Sequence, residues 1–270
     1  MSLWACSRHL SKLDFDVLIN LHPNERCSFI DAMTSVKLRT GTTHKIFKWF
    51  WDVFTPLDRS MHAADMYIDV LQQLGVQDLS NNGLEIFPGE EHFLEAELFW
   101  QEQNITDQDK LIGFNIGSAV PTKRWPPERF AEVADIFAAK GYKTVFFGGP
   151  MDEEMVAKAT GYMQTRPIIA TGHFAIGGLA AAMRRCCLII TNDSGPMHVA
   201  ISQKVPIVAM YGPSNPKLYG PYTKDAVIVT AQPPCQGCAD GMKHSCDDLQ
   251  CMSRMTVEQV VAAADTMLNK

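Results

Sequence analysis

The stretch that most constrains this chain is Cys187 to Tyr222, CLIITNDSGPMHVAISQKVPIVAMYGPSNPKLYGPY. It opens on an unbroken apolar run, Cys187 to Ile190, the pattern of a strand covered on both faces. Asn192-Asp193-Ser194-Gly195 then turns the chain, and Pro196 suits the start of a helix running to Gln203. A second apolar strand, Val205 to Met210, ends in the turn-rich Gly212-Pro213-Ser214-Asn215-Pro216. A strand, a polar turn and a helix whose first N–H groups face that turn can hold an anion. The same pattern also describes an ordinary, well-capped βαβ unit.

The alternation extends well beyond that stretch. Strands are expected at Leu111 to Ile116, Thr144 to Phe147, Pro167 to Ala170 and Ala226 to Thr230. Helices are expected at Pro127 to Lys140, Asp152 to Met163, Ile176 to Arg185 and Thr256 to Leu268. Such regular alternation predicts a doubly wound parallel sheet. Residues 1–106 read as an incomplete α/β lobe, with a strand at Asp16 to Leu21 and helices at Cys27 to Met33 and Asp65 to Leu74. The aromatic cluster Phe47, Trp49, Phe50, Trp51 and Phe54 is expected in the core, against the alternative of a partner- or membrane-facing patch. Glu90 to Gln103 reads as an acidic helix, either a solvated face or a connector.

Charge narrows the function. A net charge of −6 argues against a nucleic-acid partner, so any phosphate site must be local. No apolar run reaches the roughly 18 residues of a membrane span, and no signal peptide opens the chain. The eight cysteines do not form a secreted disulfide framework, which favours a cytoplasmic protein.

In a parallel sheet, ligands sit beyond the carboxyl ends of the strands. Three such ends carry the chemistry. Asn115 to Trp125 offers small residues and then Lys123 and Arg124; Gly148 to Glu153 offers carboxylates for ribose hydroxyls; Asn192 to Gly195 offers a helix start for a pyrophosphate. Lys123 and Arg124 also fit a solvated pair, Asp152 and Glu153 a helix start, and His198 a satisfied core histidine. The convergence of three loops favours a nucleotide-diphosphate site without a GxGxxG or P-loop motif.

GSAVPTKRWPPERFAEVA, FFGGPMDEE, TNDSGPMHVA, VPIVAMYGPSNPKLYGPY and the late PCQGC segment, in that order, closely resemble glycosyltransferase family 9, the lipopolysaccharide heptosyltransferases. The likeness covers about residues 107–270 strongly and 14–75 weakly. It implies two Rossmann-like lobes of the GT-B type, the first (1–106) incomplete and acceptor-side, the second (107–270) nucleotide-sugar-binding. It also implies transfer of a sugar, typically heptose, from an ADP-sugar to a lipopolysaccharide inner-core or other glycan acceptor, with inversion and without metal or cofactor. A peripheral contact with the inner membrane surface belongs to the same expectation. By motif, Ser118 and Lys123 meet the phosphates, Asp152 the ribose with Glu153 beside it, and Phe174 lies near the adenine. Asp193, Ser194, Gly195 and His198 form the diphosphate end, and Lys123 stabilises the leaving group.

One departure stands out. The family's first domain opens with a strand, a small-residue loop and a Gly-Asp pair whose Asp is the proposed general base. Nothing from Met1 to Leu13 matches it, and DFDVLINLHPNE resembles the middle of that domain instead. None of Asp14, Asp16 and Asp31 follows a glycine turn. The expectation is a truncated chain, or a homologue lacking its first βαβ unit, with the general base unassigned. A nucleotide-sugar epimerase of the same architecture and an inactive nucleotide-sugar-binding remnant are the rival readings. The spacing Cys235-x2-Cys238-x7-Cys246-x4-Cys251, with His244, admits zinc in its first half and is irregular in its second. A cysteine-rich loop, reduced or disulfide-linked, is the alternative.

Overall fold

The computed structural model describes residues 2–22, 24–42, 49–56, 58, 60–231, 246 and 248–270. The chain forms two compact units, 1–82 and 83–270. Among the described residues, no helix is long and apolar enough to cross a membrane.

The first unit runs α1 (Leu3–Ser11), β1 (Val17–Asn20), α2 (Glu25–Met33), β2 (Leu38–Thr42), β3 (Val53–Thr55) and α3 (Ala63–Gln73). Its three strands are parallel, in the order β1-β2-β3. Helix α1 falls where the sequence suggested no element; Ser2 caps it by accepting from the Ala5 N–H at 3.2 Å. Strand β2 reads LRTGT, too polar to announce itself, yet Thr40 and Thr42 are buried. Gly41 is required there: a Cβ would lie 2.1 Å from the Asn20 carbonyl oxygen, and φ is +153°. The aromatic cluster divides, contrary to a single core expectation. Trp51 is 8% exposed at the entry to β3, whereas Trp49 is 80% exposed and lies 5.8 Å from the Phe50 ring. Phe47 lies outside the described residues.

Asp31 on α2 is buried and accepts from Asn20 Nδ2 at the end of β1. Burial raises its pKa, against the Asn20 hydrogen bond and the Arg39 charge, which lower it. A carboxyl that binds its proton more tightly folded than unfolded loses stability as pH rises through that window. Asp31→Asn is therefore expected to gain stability relative to the native chain at pH 7, and to lose that advantage below the ordinary carboxylate pKa. Denaturant titrations at the two ends of this range measure the difference.

The second unit begins with α4 (Glu90–Glu102) and β4 (Leu111–Asn115). It continues with α5 (Pro127–Ala139), β5 (Lys143–Phe147), α6 (Glu153–Thr160), β6 (Ile168–Ile169) and α7 (Ile176–Met183). Then follow β7 (Cys186–Asn192), α8 (Gly195–Ser202), β8 (Ile207–Met210), α9 (Pro216–Tyr219), β9 (Ala226–Val229), α10 (Gln250–Ser253) and α11 (Val257–Leu268). All six strands are parallel, in the order β6-β5-β4-β7-β8-β9. Every residue of β4 and β8 is buried, which is why these strands read as continuous apolar runs. Alternate residues serve opposite faces. Ile112, Phe114, Phe146, Leu188 and Ile190 join Val260, Ala264 and Met267 of α11 on one side. Leu111, Val145, Phe147 and Ile189 join Trp100 and Ala181 and Ala182 of α7 on the other.

Helix α4 corrects its sequence reading. Ala96, Phe99 and Trp100 are buried, and the Phe99 ring lies 5.1 Å from Phe174. Glu90, Glu91, Glu97 and Glu102, which make the helix look solvated, are exposed, while Glu95 is half-buried against Gly178 of α7. Trp125 closes the opposite layer: it is fully buried, its ring 5.1 Å from Phe130, and its Nε1 donates to the Met255 carbonyl at 3.1 Å. Trp125→Ala is expected to cost about 3–5 kcal/mol, read as an earlier midpoint in guanidinium unfolding.

Candidate functional site

The strand order places the crossover in winding direction between β4 and β7. From β4 the chain builds outward through β5 and β6, then returns to lay β7 against the other side of β4. A crevice opens at the carboxyl ends of two such strands. Asn115 and Thr191 are register partners there.

Asn192, fully buried, ties the two sides together. Its Nδ2 donates to the Ile116 carbonyl at 2.8 Å, and its Oδ1 accepts from the Trp125 N–H at 3.1 Å. Both ends of the intervening loop are thereby pinned to β7. Within it, Ser118 is buried; its hydroxyl donates to the Asp193 carbonyl at 3.4 Å and accepts from the Val120 N–H at 3.3 Å. Arg124 Nε donates to the Ser118 carbonyl at 2.8 Å. One turn of 3-10 helix, Pro121–Lys123, then aims Lys123 inward.

Lys123 Nζ lies 2.6 Å from Asp193 Oδ2, and both side chains are largely shielded. Ser214, at the turn after β8, donates to the same carboxylate oxygen. Below it, burial first and the Asp193 charge second push the Tyr211 phenol above its usual range, so it stays protonated and donates to the Tyr219 carbonyl at 2.8 Å.

Asp152 approaches from β5. It accepts from the Gly149 N–H at 2.9 Å, and its carboxylate fills the volume beside Gly117, where a Cβ would lie 2.1 Å from Oδ1. Glu153 starts α6, exposed, with Oε1 close to Gly172. Phe174 is half-buried among Phe99 and His173, 4.6 Å from the latter. Ser194 and the exposed Gly195 start α8, and half-buried His198 lies a turn further on.

The structure thus gathers Ser118, Lys123, Asp193 and Ser194 at the crossover and joins Asp152 to them through Gly117. Glu153 and Phe174 sit beside β6 and α7. Asn115, Asn192 and Ser214 carry much of the geometry without having been assigned roles from the sequence. An asparagine ending a fully buried strand needs hydrogen-bond partners, which was the available signal. Of the cysteines, Cys235, Cys238 and His244 lie outside the described residues. Cys246 is exposed, its Sγ 3.1 Å from the Asp248 carbonyl, while Cys251 is buried in the core.

A parallel sheet with a lysine and a helix start at its crossover is an arrangement that can hold an anion. The sequence profile of glycosyltransferase family 9 (heptosyltransferase) matches residues 3–246, and the chain belongs to that family. The glycosyl transferase family 9 structure from Veillonella parvula is 52% identical, with a TM-score of 0.89 over 99% of this chain and 78% of that one. Escherichia coli ADP-heptose lps heptosyltransferase II shares the fold at 22% identity, with a TM-score of 0.76 over 99% and 81% of the two chains. Lipopolysaccharide heptosyltransferase 2 of Salmonella typhimurium is 33% identical over 140 residues, 50% of this chain and 40% of that protein. The match spans about two fifths of the length of this relative and of the Haemophilus ducreyi lipooligosaccharide heptosyltransferase 2, at 40% of each.

Ser214→Ala deprives the buried Asp193 carboxylate of a side-chain donor. The expected loss is about 1.5–3 kcal/mol, the range for hydrogen bonds to charged groups, measured by guanidinium unfolding of the native and substituted chains.

Proposed function

We propose that this chain is a glycosyltransferase whose second unit binds an ADP-sugar donor, with heptose as the sugar and a lipopolysaccharide inner core as acceptor. The observation that carries this reading is Lys123, held 2.6 Å from Asp193 beside the start of α8, in a chain of glycosyltransferase family 9. In the transfer, an acceptor oxygen forms a bond to the anomeric carbon from the face opposite the diphosphate. The bond from that carbon to the diphosphate oxygen breaks, and its electron pair leaves with ADP. The acceptor proton passes to a base, which the reading leaves unassigned.

The roles of this unit's residues follow from charge. Lys123 exchanges its contact with Asp193 for the diphosphate and offsets the charge that grows on the leaving oxygen. The helix start of α8 and the amides after β4 act on the same charge. Asp152 is presented to the ribose hydroxyls, and Phe174 offers an apolar flank to the base. With a lysine and a helix terminus on the diphosphate, donor binding is expected to proceed without a divalent metal.

Acceptor-dependent ADP release, measured with ADP-heptose and heptose-deficient lipopolysaccharide, tests the assignment. Conversion of the nucleotide sugar without that release would point to epimerase chemistry, and ADP binding without turnover to a binding protein. Lys123→Ala is expected to weaken ADP by about ten- to a hundredfold, the range for loss of a charge-assisted contact. Calorimetry before and after chelation is expected to give the same affinity, and restoration by magnesium of a lost affinity would contradict the metal-free reading.

A further inference from the structure

We propose that Asn115 is a positioning residue that keeps the N-terminus of α8 open for the diphosphate of a nucleotide. The inference rests on reading this end of the sheet as a nucleoside-diphosphate site.

A serine at a helix N-cap ordinarily turns its hydroxyl back to accept from the N–H groups of the first turn. Ser2 does so at α1, and Thr256 does so at α11. Ser194 holds the N-cap of α8 with suitable extended backbone, φ −158° and ψ 166°, and makes no side-chain cap. Pro196 has no N–H, so Met197 carries the donor a cap would take; it instead lies 3.2 Å from the Ser194 carbonyl. The hydroxyl faces the other way. Asn115 Nδ2 donates to it at 2.8 Å, and it donates in turn to the Asn192 carbonyl at 3.3 Å.

A second observation shows that Asn115 is held in this arrangement at a cost. The residue is 1% exposed, its Nδ2 is shared between Ser194 and Thr191, and its Oδ1 is buried with no partner among the described residues. Native cores rarely leave such an acceptor unmet. An asparagine with one satisfied end is retained here because its amide hydrogens draw the capping hydroxyl off the helix. The space this leaves is open: Gly195 is exposed, and a Cβ added to it would meet nothing within 4 Å. A helix start without its own cap presents dipole and donors to a phosphate.

The test is calorimetric titration of ADP into the native chain, Asn115→Ala, and Asn115→Ala combined with Ser194→Ala. Asn115→Ala frees the serine to cap α8 in competition with the ligand. Its expected loss is on the order of tenfold in affinity, matching the strength of one cap. Removing the hydroxyl as well is expected to restore most of that loss. A merely structural asparagine would show no such rescue, so a double variant as weak as Asn115→Ala overturns the inference, as does native affinity in Asn115→Ala. Should Asn115→Ala fail to fold, Ser194→Asn replaces it: its longer side chain reaches the Met197 N–H, ADP affinity is expected to fall similarly, and unchanged affinity overturns the inference. If the native chain does not bind ADP, the site reading itself fails. If it binds and the variants match it, only the role of Asn115 does.

Discussion

The carboxyl end of the second unit's sheet depends on the side chain of Asn192. Its amide is fully buried and grips the backbone of the preceding loop at both ends, Ile116 and Trp125. Without that grip the loop would be a ten-residue excursion over the sheet edge, free to sample many conformations. With it, Ser118 and Lys123 are delivered to a fixed place next to Asp193. The adjacent Trp125 is anchored through its backbone by this asparagine and through its indole by Met255, so core packing and site geometry share one residue.

Around Asp193 the site is organised by charge. A carboxylate this buried is stable only if it is well supplied with donors, and Lys123 and Ser214 provide them from loops 70 and 21 residues away in sequence. The pair leaves the lysine ordered, so under the proposed function less side-chain entropy would remain to be lost on binding. Under the same reading, an incoming anion has to compete with a buried carboxylate for the lysine.

How much of this was legible in the sequence depended on burial. Strands β4, β5, β7 and β8 are covered on both faces, so their apolar runs and terminal turns located them within a residue or two. Strands β2 and β3 were invisible because LRTGT and VFT contain threonines and a glycine that the fold buries by backbone pairing. Helix α4 was misread because five glutamates outnumber the Ala96, Phe99 and Trp100 that make its packing face. The loops bearing Lys123, Asp152 and Asp193 could be found from strand ends alone. That Lys123 pairs with Asp193, and that Asn115 holds Ser194, could not, since each contact joins residues more than sixty positions apart.

Gly117 and Asp152 carry a consequence for anyone substituting residues at this end of the sheet. The carboxylate occupies the space that the glycine leaves vacant. The two positions are therefore coupled: any side chain at 117 has to displace the Asp152 carboxylate from this space. A substitution at 117 is felt first at 152, where it pushes the carboxylate off the Gly149 N–H, and only a smaller residue at 152 makes room for it.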